Sequence, residues 1–242
     1  MKNPCYFRNQ YHATPNDTPP RSLVLCTEAD AMMAFATWDE RYKVELENYE
    51  DIGDEGEIWF GRSAENRAIR YLLDAGLRKD SRIIDLGCGN GSLLRHLRRL
   101  KFTCLTGVDY CEDAVRLARS IAEREEAATD MLPINFHVVD LLKENALTDR
   151  YDIVMDKGTW DAMSLSSEKK TRLCHYRNCV LHITNINGLF IIFSCNFTKE
   201  ELKEQFECKG LIFETEIASA NSLTFGGKSG VTSTGAVFRR IV

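Results

Sequence analysis

Ile83-Ile84-Asp85-Leu86-Gly87-Cys88-Gly89-Asn90-Gly91 is the stretch from which the fold of this chain is read. A β-branched run ends in an acid, three glycines follow at alternate positions, and Leu93, Leu94, Leu97 and Leu100 then begin a helical stripe. The pattern is strand, tight turn, helix, the unit with which an open parallel sheet builds a nucleotide pocket at the carboxyl end of its first strand. Bare glycine lets the backbone turn sharply and lets a ligand lie against main chain, and the first amides of the helix point at that ligand.

A dinucleotide fingerprint requires Gly-x-Gly-x-x-Gly/Ala. Gly87 and Gly89 fit it, but its third position is Ser92, and the extra glycine falls one residue early at Gly91. The acid two residues before Gly87 lies outside that fingerprint as well. Asp-x-Gly-x-Gly-x-Gly instead resembles motif I of the class I S-adenosylmethionine-dependent methyltransferases.

The 242 residues suit one large α/β domain, or one domain with appendages. A hydrophobic content of 44% and a charged content of 28% are those of a soluble globular chain. The net charge of -5 advertises no nucleic-acid surface. Nine cysteines, none paired as Cys-x-x-Cys and several inside apolar runs, read as reduced thiols and not as a zinc site. No apolar run reaches membrane-spanning length. A cytoplasmic protein is expected, with the nucleus as a second location, acting as a monomer without metal.

Residues 1–30 carry four of the five prolines and read as a mobile polar leader; the domain is assigned to residues 31–242. Ala31 to Glu50 reads as a helix with Phe35, Trp38, Tyr42 and Leu46 on its apolar face. Two readings stand for it: a helix capping the sheet, or a lid over the ligand. Gly53 to Gly61 is a loop presenting Trp59 and Phe60, and Ser63 to Ala75 a helix stopped by Gly76. A second strand ends at Asp109-Tyr110; its acid is placed to accept ribose hydroxyls or to cap the next helix. The ribose is preferred, because Glu112 and Asp113 are better caps. A third strand, Ile134 to Asp140, ends in an acid able to meet an adenine amine, with Leu141 and Leu142 against the ring. The fourth strand opens into Asp156-Lys157-Gly158-Thr159-Trp160-Asp161 beside the point where strand order reverses. Gly158-Thr159 argues there against an immediate helix, and hence against Asp156 as a plain cap. A helix from Ser167 to Ile183, a fifth strand from Leu189 to Cys195 and a capping box at Thr198-Lys199-Glu200-Glu201 follow. Two further strands, Leu211 to Ile217 and Ala236 to Ile241, flank a glycine-rich tip at Phe225 to Gly230.

Trp38-Asp39, Gly56-Glu57-Ile58-Trp59-Phe60-Gly61, Asp156 to Asp161, Ser194 to Leu202 and Phe225-Gly226-Gly227-Lys228-Ser229-Gly230 together resemble the methyltransferase-like family of elongation factor 1-alpha lysine methyltransferases, from about residue 37 onward. The resemblance implies an α/β fold: a seven-stranded, mostly parallel Rossmann-like sheet in the order 3-2-1-4-5-7-6, with helices on both faces and a C-terminal antiparallel hairpin. It implies S-adenosylmethionine as cofactor, held by Asp85, Gly87, Cys88, Gly89, Gly91, Asp109, Tyr110, Asp140 and Leu141. It also implies a protein substrate, elongation factor 1-alpha, met by Trp59, Phe60 and Phe225, with Asp156, Trp160 and Asp161 as catalytic residues. Asp156 or Asp161 would orient the substrate amine, while aromatics including Trp160 would lower its pKa by burial. The alternatives are a small-molecule methyltransferase and a non-catalytic partner subunit of the same fold.

Overall fold

The computed structural model describes residues 28–242 except 130, 208–209, 219–222, 226–227 and 231–232; side chains are described from residue 38 onward, except at 130, 208–209 and 219–232. The expected leader lies outside the described residues up to residue 27, and the first helix, α1 (Glu28–Ile52), starts three residues before the assigned boundary.

Seven strands form the main sheet: β1 (Arg82–Leu86), β2 (Cys104–Asp109), β3 (Asn135–Val138), β4 (Tyr151–Lys157), β5 (Thr184–Ser194), β6 (Leu211–Ile217) and β9 (Thr234–Arg240). Their order is β3-β2-β1-β4-β5-β9-β6. β1 to β5 pair in parallel, and β9 is antiparallel to both β5 and β6. The expected order and the antiparallel last strand are both observed. β7 (Leu223–Phe225) and β8 (Lys228–Gly230) pair as a separate small hairpin in the β6–β9 connection.

Alternation along the strands produces two cores, one on each face. Ile83, Ile153, Met155, Ile191 and Phe193 pack on one side with α2 (Gly61–Asp74), α3 (Ser92–Arg99) and α4 (Glu112–Ala127). Their chain neighbours Ile84, Val154, Phe190 and Ile192 pack on the other, with α5 (Thr159–Ser164), α6 (Lys169–Ile183) and α7 (Lys199–Phe206). Burial on both faces explains why the central strands read as unbroken apolar runs. The leucine stripe of α3 is buried at Leu93, Leu94 and Leu97.

Some details differ from the sequence reading, and β5 starts at Thr184, ahead of the expected Leu189. Residues 139–150, between β3 and β4, form turns and no helix, so the strand–helix alternation lapses there. A helix, α5, does begin directly at Thr159. Gly158 does not prevent it, because the glycine stands outside the helix as a left-handed N-cap at φ 96°. The capping box holds: the Glu201 amide donates to the Thr198 hydroxyl at 3.2 Å, and the Thr198 amide donates to the Glu201 carboxylate at 2.9 Å. Among the described residues no cluster of His, Cys, Asp or Glu could hold a metal ion, and no helix is long and apolar enough to cross a membrane.

Candidate functional site

A cleft opens at the carboxyl ends of β1, β2 and β4, beside the β1/β4 junction where strand order reverses. Its floor is the β1–α3 turn, Gly87 to Asn90. The amides of Gly87 and Cys88 both donate to the Val108 carbonyl, at 2.8 and 3.0 Å, which ties the turn to β2. Gly87 and Gly89 adopt left-handed φ values of 70° and 52°. A Cβ on Gly87 would collide with the Thr159 hydroxyl, and one on Gly89 with the Tyr42 hydroxyl, so a side chain at either position would displace a residue that lines the cleft. Gly91 is placed differently: a Cβ there would meet the buried Phe136 ring at 2.7 Å, so this glycine serves packing and does not line the cleft. Cys88 lines it, with burial pushing its thiol well above the ordinary value and keeping it protonated.

The strand-end acids separate by what holds them. Asp109 faces the cleft, and its carboxylate accepts the Gly89 and Cys111 amides at 3.0 Å each. The Cys111 bond is made at the N-cap of α4, so Asp109 both turns the chain into α4 and faces the cleft. Burial pushes its pKa up to about 6 despite these amides. Tyr110 stands beside it on the wall. Asp85 is 2% exposed, and its Oδ1 has no hydrogen-bond partner. Burial first, then the carboxylates of Glu65, Asp156 and Asp109, push it up to about 7 against the pull of Lys157. Asp140 and Leu141 stand off the cleft wall. Asp140 accepts the Leu142 amide at 3.0 Å within a turn beyond β3, and Leu141 is buried in the core.

Asp156, Trp160 and Asp161, expected to meet substrate, are instead buried behind the cleft. Asp156 accepts the Thr159 and Trp160 amides at 2.9 and 3.0 Å and the Tyr176 hydroxyl, so its carboxylate satisfies the first amides of α5 from two residues before the Gly158 N-cap. Burial raises its pKa to about 7. Trp160 is fully buried, with Phe206, Tyr176 and Phe197 at ring distances of 4.6, 5.8 and 5.9 Å, and cannot wall a substrate channel. Asp161 accepts the Ser194 hydroxyl at 2.5 Å and the Cys195 amide at 2.7 Å, joining α5 to the end of β5. Together these three fix the segment that does line the cleft: Lys157, Gly158 and Thr159.

The aromatic wall comes from the N-terminal side. Trp59 lines the cleft with Trp38 and Tyr42 of α1 and with Glu57. The Trp38 and Trp59 rings meet edge to face at 5.1 Å, and Tyr42 lies 5.9 Å from Trp38. The Arg41 guanidinium sits 5.5 Å from both indoles and pairs with Glu45 and Glu57. Asn90 donates to the Glu55 carbonyl at 2.9 Å, tying the loop to the glycine turn. Phe60, at φ 61°, turns inward onto the core and does not line the cleft. The described part of α1 packs on α4. Leu46 packs on Leu117 and Ile121 of α4, while Trp38 and Tyr42 on the same face roof the cleft. Phe225 lies in the β7–β8 hairpin, and its side chain is outside the described residues. The stems of that hairpin leave the sheet at Ile217 and Gly235, in the row that runs through Phe193 to Lys157.

Tyr42 was reached only through the lid reading of the first helix, on its spacing one turn from Trp38. Sequence reasoning missed Lys157 as a lining residue; it stands inside a quoted motif with no local pattern to give it a role.

Comparison with known proteins agrees with this geometry. Residues 77–227 match a family model described as a methyltransferase domain. Solved structures share the fold at low identity. A TehB-like methyltransferase from Corynebacterium glutamicum superposes with TM-score 0.57 at 18% identity, covering 85% of this chain and 99% of that one. Magnesium protoporphyrin IX methyltransferase from Synechocystis gives 0.57 at 15%, covering 83% and 97%. Curated relatives are much nearer in sequence. EEF1A lysine methyltransferase 2 of Danio rerio is 39% identical over 84% of this chain and 85% of its own, and that of Homo sapiens 35% over 84% of each. Protein-lysine N-methyltransferase EFM4 of Saccharomyces cerevisiae is 37% identical over 83% and 91%. Identity at this level across nearly the whole of both partners places the chain in the family of EEF1A lysine methyltransferase 2 and EFM4, on a class I methyltransferase fold.

Proposed function

We propose that this protein is an S-adenosylmethionine-dependent protein-lysine N-methyltransferase acting on translation elongation factor 1-alpha. The observation that carries the reading is a glycine floor, where a Cβ on Gly87 or Gly89 would displace a residue that lines the cleft, lying between the Asp109 carboxylate and an aromatic wall. The residues fit the cofactor. Asp109 and Tyr110 offer a nucleoside edge, Gly87 to Gly89 give bare backbone, and the unpartnered Oδ1 of buried Asp85 is an acceptor without a donor beside that floor. When bound, S-adenosylmethionine supplies an electrophilic methyl on a sulfonium.

The chain then has to present a neutral amine in line. A lysine amine with a pKa of about 10.4 costs roughly 4–5 kcal/mol to deprotonate near neutral pH. Enclosure by Trp38, Tyr42 and Trp59 favours the neutral form, because burial penalises the ammonium. Glu57, half exposed at the rim, has its charge taken up by Arg41 and serves to hold that guanidinium against the two indoles. Asp156 and Asp161 act at one remove, by holding the Lys157–Thr159 segment.

The test is methyl transfer from tritiated S-adenosylmethionine to purified elongation factor 1-alpha, comparing this protein with its Gly89→Arg variant, followed by hydrolysis of the product. Labelled methyl-lysine that disappears with the variant is expected. Label on small molecules, or none on lysine despite cofactor binding, would refute the reading.

A further inference from the structure

Lys157 ends β4 on the cleft wall, with its side chain 15% exposed. Its ammonium donates to the main-chain carbonyl of Trp59 at 3.0 Å and stands 3.9 Å from Oε1 of Glu65. Glu65 is 1% exposed; its Oε2 accepts the Ser92 hydroxyl at 3.0 Å, while its Oε1 has no hydrogen-bond partner. The short contact of the ammonium is therefore with the Trp59 backbone, not with the buried carboxylate that a purely structural ion pair would grip. The neighbouring residue holds the same tryptophan from another side: a Cβ on Gly158 would lie 2.6 Å from the indole. On β1, next to β4, Asp85 is buried with Oδ1 unpartnered, and the Lys157 charge opposes the carboxylates that crowd it, Glu65 from α2, Asp156 from β4 and Asp109 from β2.

We propose that Lys157 is a positioning residue for the substrate half of the site, seating Trp59 for the incoming amine while pairing with the buried carboxylate of Glu65. The inference rests on the reading of this cleft as a lysine-methylation site. A cation so enclosed is costly unless its contacts are specific, and the contacts here run to the Trp59 carbonyl and to Glu65.

Lys157→Met alone would leave Glu65 as an unpaired buried charge and destabilise the fold, so the informative variant is Lys157→Met/Glu65→Gln. The new amide can still accept the Ser92 hydroxyl, and no charge from that pair remains buried. The measurements are thermal midpoint, S-adenosylmethionine affinity by calorimetry, and KM and kcat on purified elongation factor 1-alpha. The double variant is expected to fold and to keep cofactor affinity within about threefold. Its KM for the protein substrate should rise about tenfold, the order expected for one lost hydrogen bond to a charged group. Adding Trp59→Ala should change KM little further, because both changes act through one ring. An unchanged KM in the double variant, or full additivity with Trp59→Ala, would overturn the inference while leaving the functional reading intact. A wild-type protein that binds no S-adenosylmethionine would overturn both.

Discussion

Replacing Asp85 by Asn should stabilise the protein above neutral pH while weakening its cofactor binding. Asp85 is 2% exposed, Oδ1 lacks a partner, and burial moves its pKa from 3.8 to about 7. A raised carboxyl pKa means that the folded state binds more protons than the unfolded chain between about pH 4 and pH 7. Stability falls as pH rises through that window, and the penalty is complete above it. At about 1.4 kcal/mol per pKa unit the ionised carboxylate costs roughly 4 kcal/mol. The variant loses part of that gain to an amide with unmet hydrogen bonds, about 1–3 kcal/mol. A net gain of about 1–3 kcal/mol at pH 8 remains, and it should vanish by pH 5, where Asp85 is protonated in the fold. Urea unfolding of both proteins at pH 5, 6, 7 and 8, extrapolated to water, reads the difference directly. Asp109 and Asp156, which repel Asp85, lose a like-charged neighbour in the variant, so their relief adds to the gain at high pH in the same direction. S-adenosylmethionine affinity, measured on the same samples, should fall. Parallel stability curves, or a variant that loses most stability at pH 8, would refute the argument: the ionised carboxylate would then be a net stabiliser, satisfied by Lys157.

Gly89→Ala places a Cβ against the Tyr42 hydroxyl at a backbone φ of 52°. Calorimetry should show cofactor affinity reduced at least about tenfold, with folding stability down by only about 1 kcal/mol. The two tryptophans should separate. Trp160→Ala, in the core, should cost about 3–5 kcal/mol in urea unfolding, whereas Trp59→Ala should leave stability within about 1 kcal/mol and raise KM for the protein substrate.

The features legible in the sequence were those the backbone encodes locally. Paired runs such as Ile83-Ile84 announced a sheet covered on both faces, the alternating glycines announced a floor, and Thr198 with Glu201 announced a helix start. Trp160 was misjudged because its burial depends on Phe197 and Phe206, which come from elements that its own neighbourhood does not mention. Trp38 and Tyr42 carried one apolar pattern for two tasks, packing and roofing. The strand-end acids show the limit most sharply. In sequence Asp85, Asp109, Asp140 and Asp156 look alike, each closing an apolar strand. The structure sorts them by which amides compete for the carboxylate. Asp140 turns to Leu142, Asp156 to Thr159 and Trp160, and Asp109 divides between Gly89 and Cys111. Oδ1 of Asp85 alone among these is left buried without a partner. An acceptor in that condition is expensive to keep, and the carboxyl answers by holding its own proton up to about pH 7, so that the pH dependence of stability is where the cost of Asp85 is read.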